Sequence, residues 1–153
     1  MSVDAGDAAP EFGLAASGGR QVSLAGQKGR PFVLYFYPRA DTPGCTREAC
    51  AFEEALPQFK GIEVIGVSPD AMAPVEKFAR KYGLSFPLAS DPDHAVAEAY
   101  GVWVEKSNYG KKYMGIERST FLIDKDGRIA RAWRKVKVDG HAAAVMQAAA
   151  ALT

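Results

Sequence analysis

Cysteine and histidine are scarce in this 153-residue chain, with two of each: Cys45, Cys50, His94 and His141. Two cysteines cannot build the multi-bridge frame that holds small secreted scaffolds together. A chain of this length does not need one, because a domain of its size removes roughly 70% of its unfolded surface from water. Charge of one sign is lacking too: 19 Lys and Arg stand against 18 Asp and Glu, a net charge of +1. Tracking a phosphate backbone requires a basic excess, so nucleic acid is not an expected partner. No apolar run approaches the ~20 residues of a membrane span, and a membrane is not expected either. The opening MSVDAGDAAPEFG has neither a basic n-region nor an apolar h-region, which argues against a secretory signal. These absences point to one soluble domain over residues 1–153 in a reducing cytoplasm, where a cysteine pair is reactive or metal-binding rather than structural.

Motifs are missing as well. A structural zinc site takes about four N or S ligands in close pairs; here there is no C-x-x-C and no H-x-x-x-H, so no metal is expected. Neither G-x-S-x-G nor G-x-G-x-x-G occurs after a strand, which leaves serine hydrolysis and dinucleotide binding without an anchor. His94 and His141 follow Asp-Pro-Asp and Asp-Gly and read as surface turn residues near helix starts, not as a general base.

What the chain does have is alternation. Short runs rich in branched and aromatic residues alternate with longer amphipathic stretches, the signature of an α/β layer fold. The runs predict strands over Pro31–Tyr37, Ile62–Ser68, Phe86–Ala89, Ser119–Asp124 and Arg128–Arg134. Helices are predicted over Cys45–Phe59, Pro74–Tyr82, His94–Tyr100 and from His141 to the end. The first two strand runs are apolar almost throughout, as central strands covered on both faces should be. Asp126-Gly127 between the last two marks an antiparallel hairpin. Ser17-Gly18-Gly19, between two weak alternating runs, reads as a peripheral hairpin. The result is an N-terminal β-hairpin followed by β-α-β-α-β-α-β-β-α, compatible with a mixed sheet between helix layers in a thioredoxin-like core.

The chemistry lies in Tyr37–Cys50, YPRADTPGCTREAC. Thr42 followed by Pro43 fits an N-cap with proline at the first helical position. Cys45 is then the third helical residue, facing the free N–H groups and the positive end of the helix dipole, both of which favour a thiolate. Free cysteine titrates near ~8.5, and cysteines at helix starts or beside arginine can fall to ~3.5–7.5. Cys45 is therefore a candidate nucleophile; the alternative reading is a small buried hydrophobe. Cys50 lies five residues on, which in an intact helix puts the two Cα atoms about 8.7 Å apart on nearly opposite faces. Disulfides need about 4.4–6.8 Å, so a Cys45–Cys50 bond would require the first turns to unwind. Otherwise Cys50 reads as a core-facing helix residue.

YPRADTPGCTREAC resembles the active-site motif of the peroxiredoxins, and its TPGCTxEAC form is most similar to the bacterioferritin comigratory protein, or Q-type, group. YGKKYMGIERSTFLID (Tyr109–Asp124) resembles the same group's second signature. The resemblance implies a thioredoxin-like fold and a thiol-dependent peroxidase acting on hydrogen peroxide or an organic hydroperoxide. Cys45 would be peroxidatic and Cys50 resolving, through an intramolecular disulfide reduced by a thioredoxin-type partner. Thr42 would hydrogen-bond thiolate and peroxide, Arg118 would favour the thiolate and hold the peroxide oxygens, and Pro38 would wall the pocket from water. No cofactor is implied, and a monomer is, since both cysteines lie on one chain. Without the resemblance Arg118 reads as a surface ion pair with Glu117 or Glu48; Glu48 could instead orient an arginine. Two other functions fit the fold. A general thiol–disulfide oxidoreductase would usually carry C-x-x-C, and a non-catalytic binding or chaperone-like module would need no reactive cysteine.

Overall fold

The computed structural model describes residues 3–59 and 61–152. The elements run β1 (Gly13–Ala16), β2 (Arg20–Ser23), β3 (Phe32–Phe36), α1 (Pro43–Ala55), β4 (Glu63–Ser68), α2 (Met72–Lys81), β5 (Leu88–Ser90), α3 (Ala95–Ala99), β6 (Trp103–Asn108), β7 (Lys111–Ile116), β8 (Ser119–Ile123), β9 (Ile129–Trp133) and α4 (His141–Ala150). Seven strands form one mixed sheet in the order β2-β1-β5-β4-β3-β8-β9, with β3 parallel to β4, β4 parallel to β5, and β8 antiparallel to β3 and β9. This is the expected α/β architecture, with the hairpin at Asp126-Gly127 in place.

The central strands are apolar on both faces because both are covered. Phe32, Leu34 and Phe36 of β3 join Ile65, Val67, Phe121 and Ile123 under Phe12, Tyr100 and Ile116. Val33 and Tyr35, with Tyr37 just beyond the strand, face the other way, against Cys45, Ala49 and Phe52 of α1, Phe78 of α2 and Met146 of α4. The second layer carries the site. Tyr35 stacks on Phe52 with ring centroids 4.8 Å apart, and it needs Gly66 opposite it on β4 to do so. A Cβ there would lie 2.8 Å from Tyr35 Cζ and 2.8 Å from Leu88 Cδ2. Gly66→Ala is therefore expected to cost about 1–3 kcal/mol by overpacking, a fall in Tm of roughly 2–12 °C for a chain of this size. A thermal melt checks it, and an unchanged Tm would mean that the ring moves aside freely.

Five sequence expectations need adjustment. Helix α1 ends at Ala55 and tightens into a 3₁₀ turn over Leu56–Gln58, short of Phe59, because Pro57 has no N–H to continue the ladder. Helix α2 begins at Met72, so that Pro74 falls in the first turn, where N–H groups have no intrahelical partner. The N-terminal hairpin is not merely peripheral: Ala16 pairs with Ala89, which makes β1 and β2 the edge of the main sheet. The β6–β7 hairpin, turning at Tyr109 and Gly110 with φ of 51° and 79°, has no counterpart in the expected order. Helix α4 starts at His141 as expected but ends at Ala150, short of the expected chain end, with Ala151 and Leu152 in a turn; Thr153 lies outside the described residues.

Candidate active site

The start of α1 has the expected register. Thr42 is the N-cap, with extended backbone (φ −94°, ψ 156°), Pro43 is the first helical residue, and the Thr46 amide donates to the Thr42 carbonyl at 2.8 Å. Cys45 is thus the third residue of the helix. Cys45, Glu48, Ala49 and Phe52 are its buried residues, and their i, i+3, i+4, i+7 spacing makes them one stripe. The same stripe that packs α1 on the sheet therefore carries a thiol and a carboxylate inward, 2% and 1% exposed respectively.

Arg118 meets them there. It sits in the two-residue link between β7 and β8, where its carbonyl accepts the Val136 amide at 3.0 Å. Its Nη2 donates to Cys45 Sγ at 3.3 Å and its Nη1 to Glu48 Oε1 at 2.6 Å. The Arg118 side chain is 17% exposed and that of Glu48 1%, so this ion pair is screened far less than a surface pair. Gly44 leaves it room, since a Cβ at that position would come within 3.3 Å of Arg118 Nη2.

Burial dominates the electrostatics. The Glu48 carboxyl is pushed up to about 7 by burial, with the charge and hydrogen bond of Arg118 opposing the rise. Among the described residues, its second oxygen, Oε2, is buried without a hydrogen-bond partner, as are the hydroxyls of Tyr35 and Tyr37. Burial also raises both phenols, and the Glu48 charge adds to the rise of each. Lys106 of β6 is a second cation at the site; burial and then the Arg118 charge push it down, while Cys45 and Glu117 hold it up. His141 is corrected from a surface turn residue to a buried one. Its Nε2 lies 2.8 Å from Thr120 Oγ1, its ring is edge-on to Phe52 and Trp133, and burial followed by the Arg118 charge lowers it to about 4. His94 does lie at a helix start, stacked on Trp103 at 4.1 Å and within 2.8 Å of Glu98 Oε2.

The chain that carries this buried thiol, bonded to an arginine that a glutamate holds, is similar to known proteins over nearly its whole length. The AhpC/TSA family model matches residues 5–132. Peroxiredoxin Bcp of Bacillus subtilis is 49% identical over 149 residues, 96% of this chain and 95% of that protein. A Coxiella burnetii protein named putative peroxiredoxin bcp is 50% identical over 148 residues, 95% of this chain and 98% of its own. The chain is a peroxiredoxin of the AhpC/TSA family. Among solved structures, Xanthomonas campestris peroxiredoxin Q superposes with a TM-score of 0.87 at 47% identity, covering 92% of this chain and 90% of that one. A trapped intermediate/ligand complex of the Xanthomonas campestris bacterioferritin comigratory protein, studied for alkyl peroxide reduction, gives 0.86 at 46% identity, with 92% and 90% covered. The peroxiredoxin is thus a thiol-dependent peroxidase on a thioredoxin-like fold.

The structure brings together some of the expected site residues of this peroxiredoxin and spaces others. Cys45 and Arg118 are in contact. Pro38 is half-buried in the loop between β3 and α1. Thr42 caps with its backbone alone: its hydroxyl donates to the Arg39 carbonyl at 2.9 Å. Cys50 is half-buried on the same unbroken helix, outside the stripe, and burial followed by Glu54 and Glu53 raises its thiol. Arg118 does pair with Glu48, in the interior rather than at the surface. The feature that the residue-by-residue reading left weakest is Glu48, and its signal was a charged side chain at i+3 within an otherwise apolar stripe.

Among the described residues, no helix is long and apolar enough to cross a membrane.

Proposed function

We propose that Cys45 is the peroxidatic and Cys50 the resolving cysteine of a cycle that reduces hydrogen peroxide and organic hydroperoxides at the expense of a thioredoxin-type dithiol. The observation that carries this is the 3.3 Å bond from Arg118 Nη2 to Cys45 Sγ at the first turn of α1. The Cys45 thiolate attacks the terminal peroxide oxygen in line with the O–O bond; that bond breaks, S–O forms, and water or alcohol leaves after taking up a proton. Charge moves from sulfur to the leaving oxygen, so donors fixed around both ends stabilise the transition state more than the ground state. Arg118, anchored by Glu48, and the free N–H groups of the first turn are such donors. The Thr42 hydroxyl joins them by swinging from the Arg39 carbonyl to the peroxide, and Pro38 keeps bulk water from the sulfenic acid.

The sulfenic acid then condenses with the Cys50 thiol, forming S–S and releasing water. Because both cysteines sit on one intact helix, five residues apart, the first turns of α1 unwind for this step. A dithiol reduces the disulfide by exchange, and α1 refolds. Sulfur supplies both electrons, so no step calls for a metal or flavin. With both thiols on one helix, the cycle closes within a single chain, consistent with a monomer working in a reducing compartment.

Cys50→Ser tests the reading. Oxidation of Cys45 is expected to stay within about twofold of the unsubstituted rate, the sulfenic acid to accumulate by mass, and thioredoxin-coupled turnover to fall roughly tenfold or more. Unimpaired coupled turnover would exclude Cys50 as the obligatory resolver.

A further inference from the structure

The loop that delivers Thr42 to α1 is tied down by two carboxylates that no step above uses. Asp41 is the residue before the N-cap, and it holds a left-handed backbone, φ 58°. Side chains other than glycine reach that region at a cost, and they stay there when the surroundings hold them. Here the holding groups come from the end of α2. The Tyr82 hydroxyl donates to Asp41 Oδ1 at 2.6 Å, and Lys81 Nζ donates to Oδ2 at 2.9 Å. Tyr82 is itself fixed edge-on against Phe78, 5.5 Å between centroids, and Phe78 lies 6.1 Å from Tyr37 at the end of β3. One residue earlier, the Ala40 amide donates to Asp70 Oδ2 at 2.7 Å. Asp70 is anchored in turn, accepting the Ser68 hydroxyl at 2.9 Å on its carboxylate and the Ser90 hydroxyl at 2.6 Å on its carbonyl.

The loop is therefore pinned by side chains up to Asp41; beyond it, among the described residues, the Thr42 side chain is tied only to Arg39 within the same loop, and that of Cys45 is held by the single contact from Arg118. The first turn of α1 has no side-chain cap and begins with a proline. That turn must open for Cys45 to reach Cys50, and local opening starts where few fixed bonds hold the chain. The backbone angles at Asp41 present Thr42 in the extended geometry from which α1 starts, so whatever holds Asp41 also holds the helix start.

We infer that Asp41 and Tyr82 form a clasp that sets how readily the first turns of α1 unwind, and thereby divides oxidised Cys45 between the disulfide with Cys50 and further oxidation. The inference rests on the reading of Cys50 as the resolving cysteine. Two fates compete for the sulfenic acid. Condensation with the Cys50 thiol forms S–S and releases water, at a rate limited by unwinding. Attack on a second peroxide adds an oxygen to sulfur from the folded helix start, breaking the O–O bond and giving a sulfinic acid with water from hydrogen peroxide or an alcohol from an organic hydroperoxide. A tight clasp favours the second fate and a released clasp the first. Asp41 and Tyr82 touch neither sulfur nor peroxide, and are positioning residues.

Tyr82→Phe removes one hydroxyl from the clasp and leaves the ring against Phe78. Asp41→Gly removes the carboxylate, and glycine takes up the left-handed backbone without strain. Each pre-reduced variant is titrated with hydrogen peroxide, and disulfide and sulfinic acid are counted by mass at each concentration. In both variants the concentration that gives equal amounts is expected to rise at least threefold, while the rate constant of the first oxidation stays within twofold of the unsubstituted protein. An unchanged or lowered crossover in both would overturn the clasp. A purely structural role would move the first oxidation and the crossover together, and that result would overturn it too. If the unsubstituted protein forms no Cys45–Cys50 disulfide, the reading of Cys50 fails; if it forms one and the crossover does not move, only the clasp fails.

Discussion

Cys45→Ser is expected to leave peroxide consumption at the uncatalysed background, a loss of more than about a thousandfold in the rate of the first oxidation. Serine keeps the size of the side chain and can accept the bond from Arg118 Nη2, so the buried stripe of α1 and the Arg118–Glu48 pair stay in place. What it removes is the nucleophile, because a hydroxyl does not ionise in the range open to a thiol. The measurement is stopped-flow reduction of hydrogen peroxide by pre-reduced protein, followed by thioredoxin-coupled turnover. Consumption above background would move the chemistry away from Cys45 and would leave the 3.3 Å contact with Arg118 without a catalytic meaning.

Local punctuation made the nucleophile legible. Thr42-Pro43 marks a helix start through bonds within one turn, and the position of Cys45 three residues into α1 follows from them alone. The partners of Cys45 were less legible because they come from afar. Arg118 arrives from the link before β8, and only the antiparallel pairing of β8 with β3 brings it beside α1. No local pattern around Arg118 states that pairing, so the residues alone favoured a surface ion pair. His141 was misplaced for a related reason: Asp139-Gly140 predicts a turn but not which way the next side chain points, and the alanine-rich helix that follows packs that side against Phe52 and Trp133.

The strands followed the same division. The near-continuous apolar runs of β3 and β4 are legible because their burial on both faces is written into composition. The β6–β7 hairpin is not, since its strands are mostly solvated and lysine-rich, with Ile116 its one fully buried residue. Without a buried face there is no alternation to read. Its turn was the available clue: Tyr109-Gly110 has both residues at positive φ, the arrangement that tight two-residue hairpins favour.

Arg118→Met is expected to slow Cys45 oxidation by about 10²–10³-fold, the usual effect of removing a preorganised donor to developing charge. It should also make stability depend on pH in a defined direction. Glu48 titrates near about 7 in the folded protein even with Arg118 beside it, against ~4.3 in an unfolded chain. The folded state therefore binds this proton more tightly, so the Glu48 contribution falls as pH rises from ~4.3 to ~7 and stays low above that. Without Arg118 only burial acts on Glu48, and its carboxyl rises further. The variant should then match the unsubstituted protein near pH 5.5, where Glu48 is neutral in both. Above neutrality it should lose progressively more, toward the 3–5 kcal/mol typical of a broken buried ion pair. His141 contributes the opposite slope: held near about 4 by burial and then by Arg118, it loses stability as pH falls from ~6.5 through that value. Removing Arg118 takes away the second of those causes, so acid tolerance should improve while alkaline tolerance worsens. Adding Glu48→Gln to Arg118→Met should abolish the alkaline loss and leave the slow oxidation unchanged. Denaturant unfolding across pH 5–9 with parallel stopped-flow rates separates the outcomes: recovery of the rate in the double variant would mean that Arg118 acts only through folding, and a pH-independent loss in the single variant would mean that Glu48 is not the titrating group.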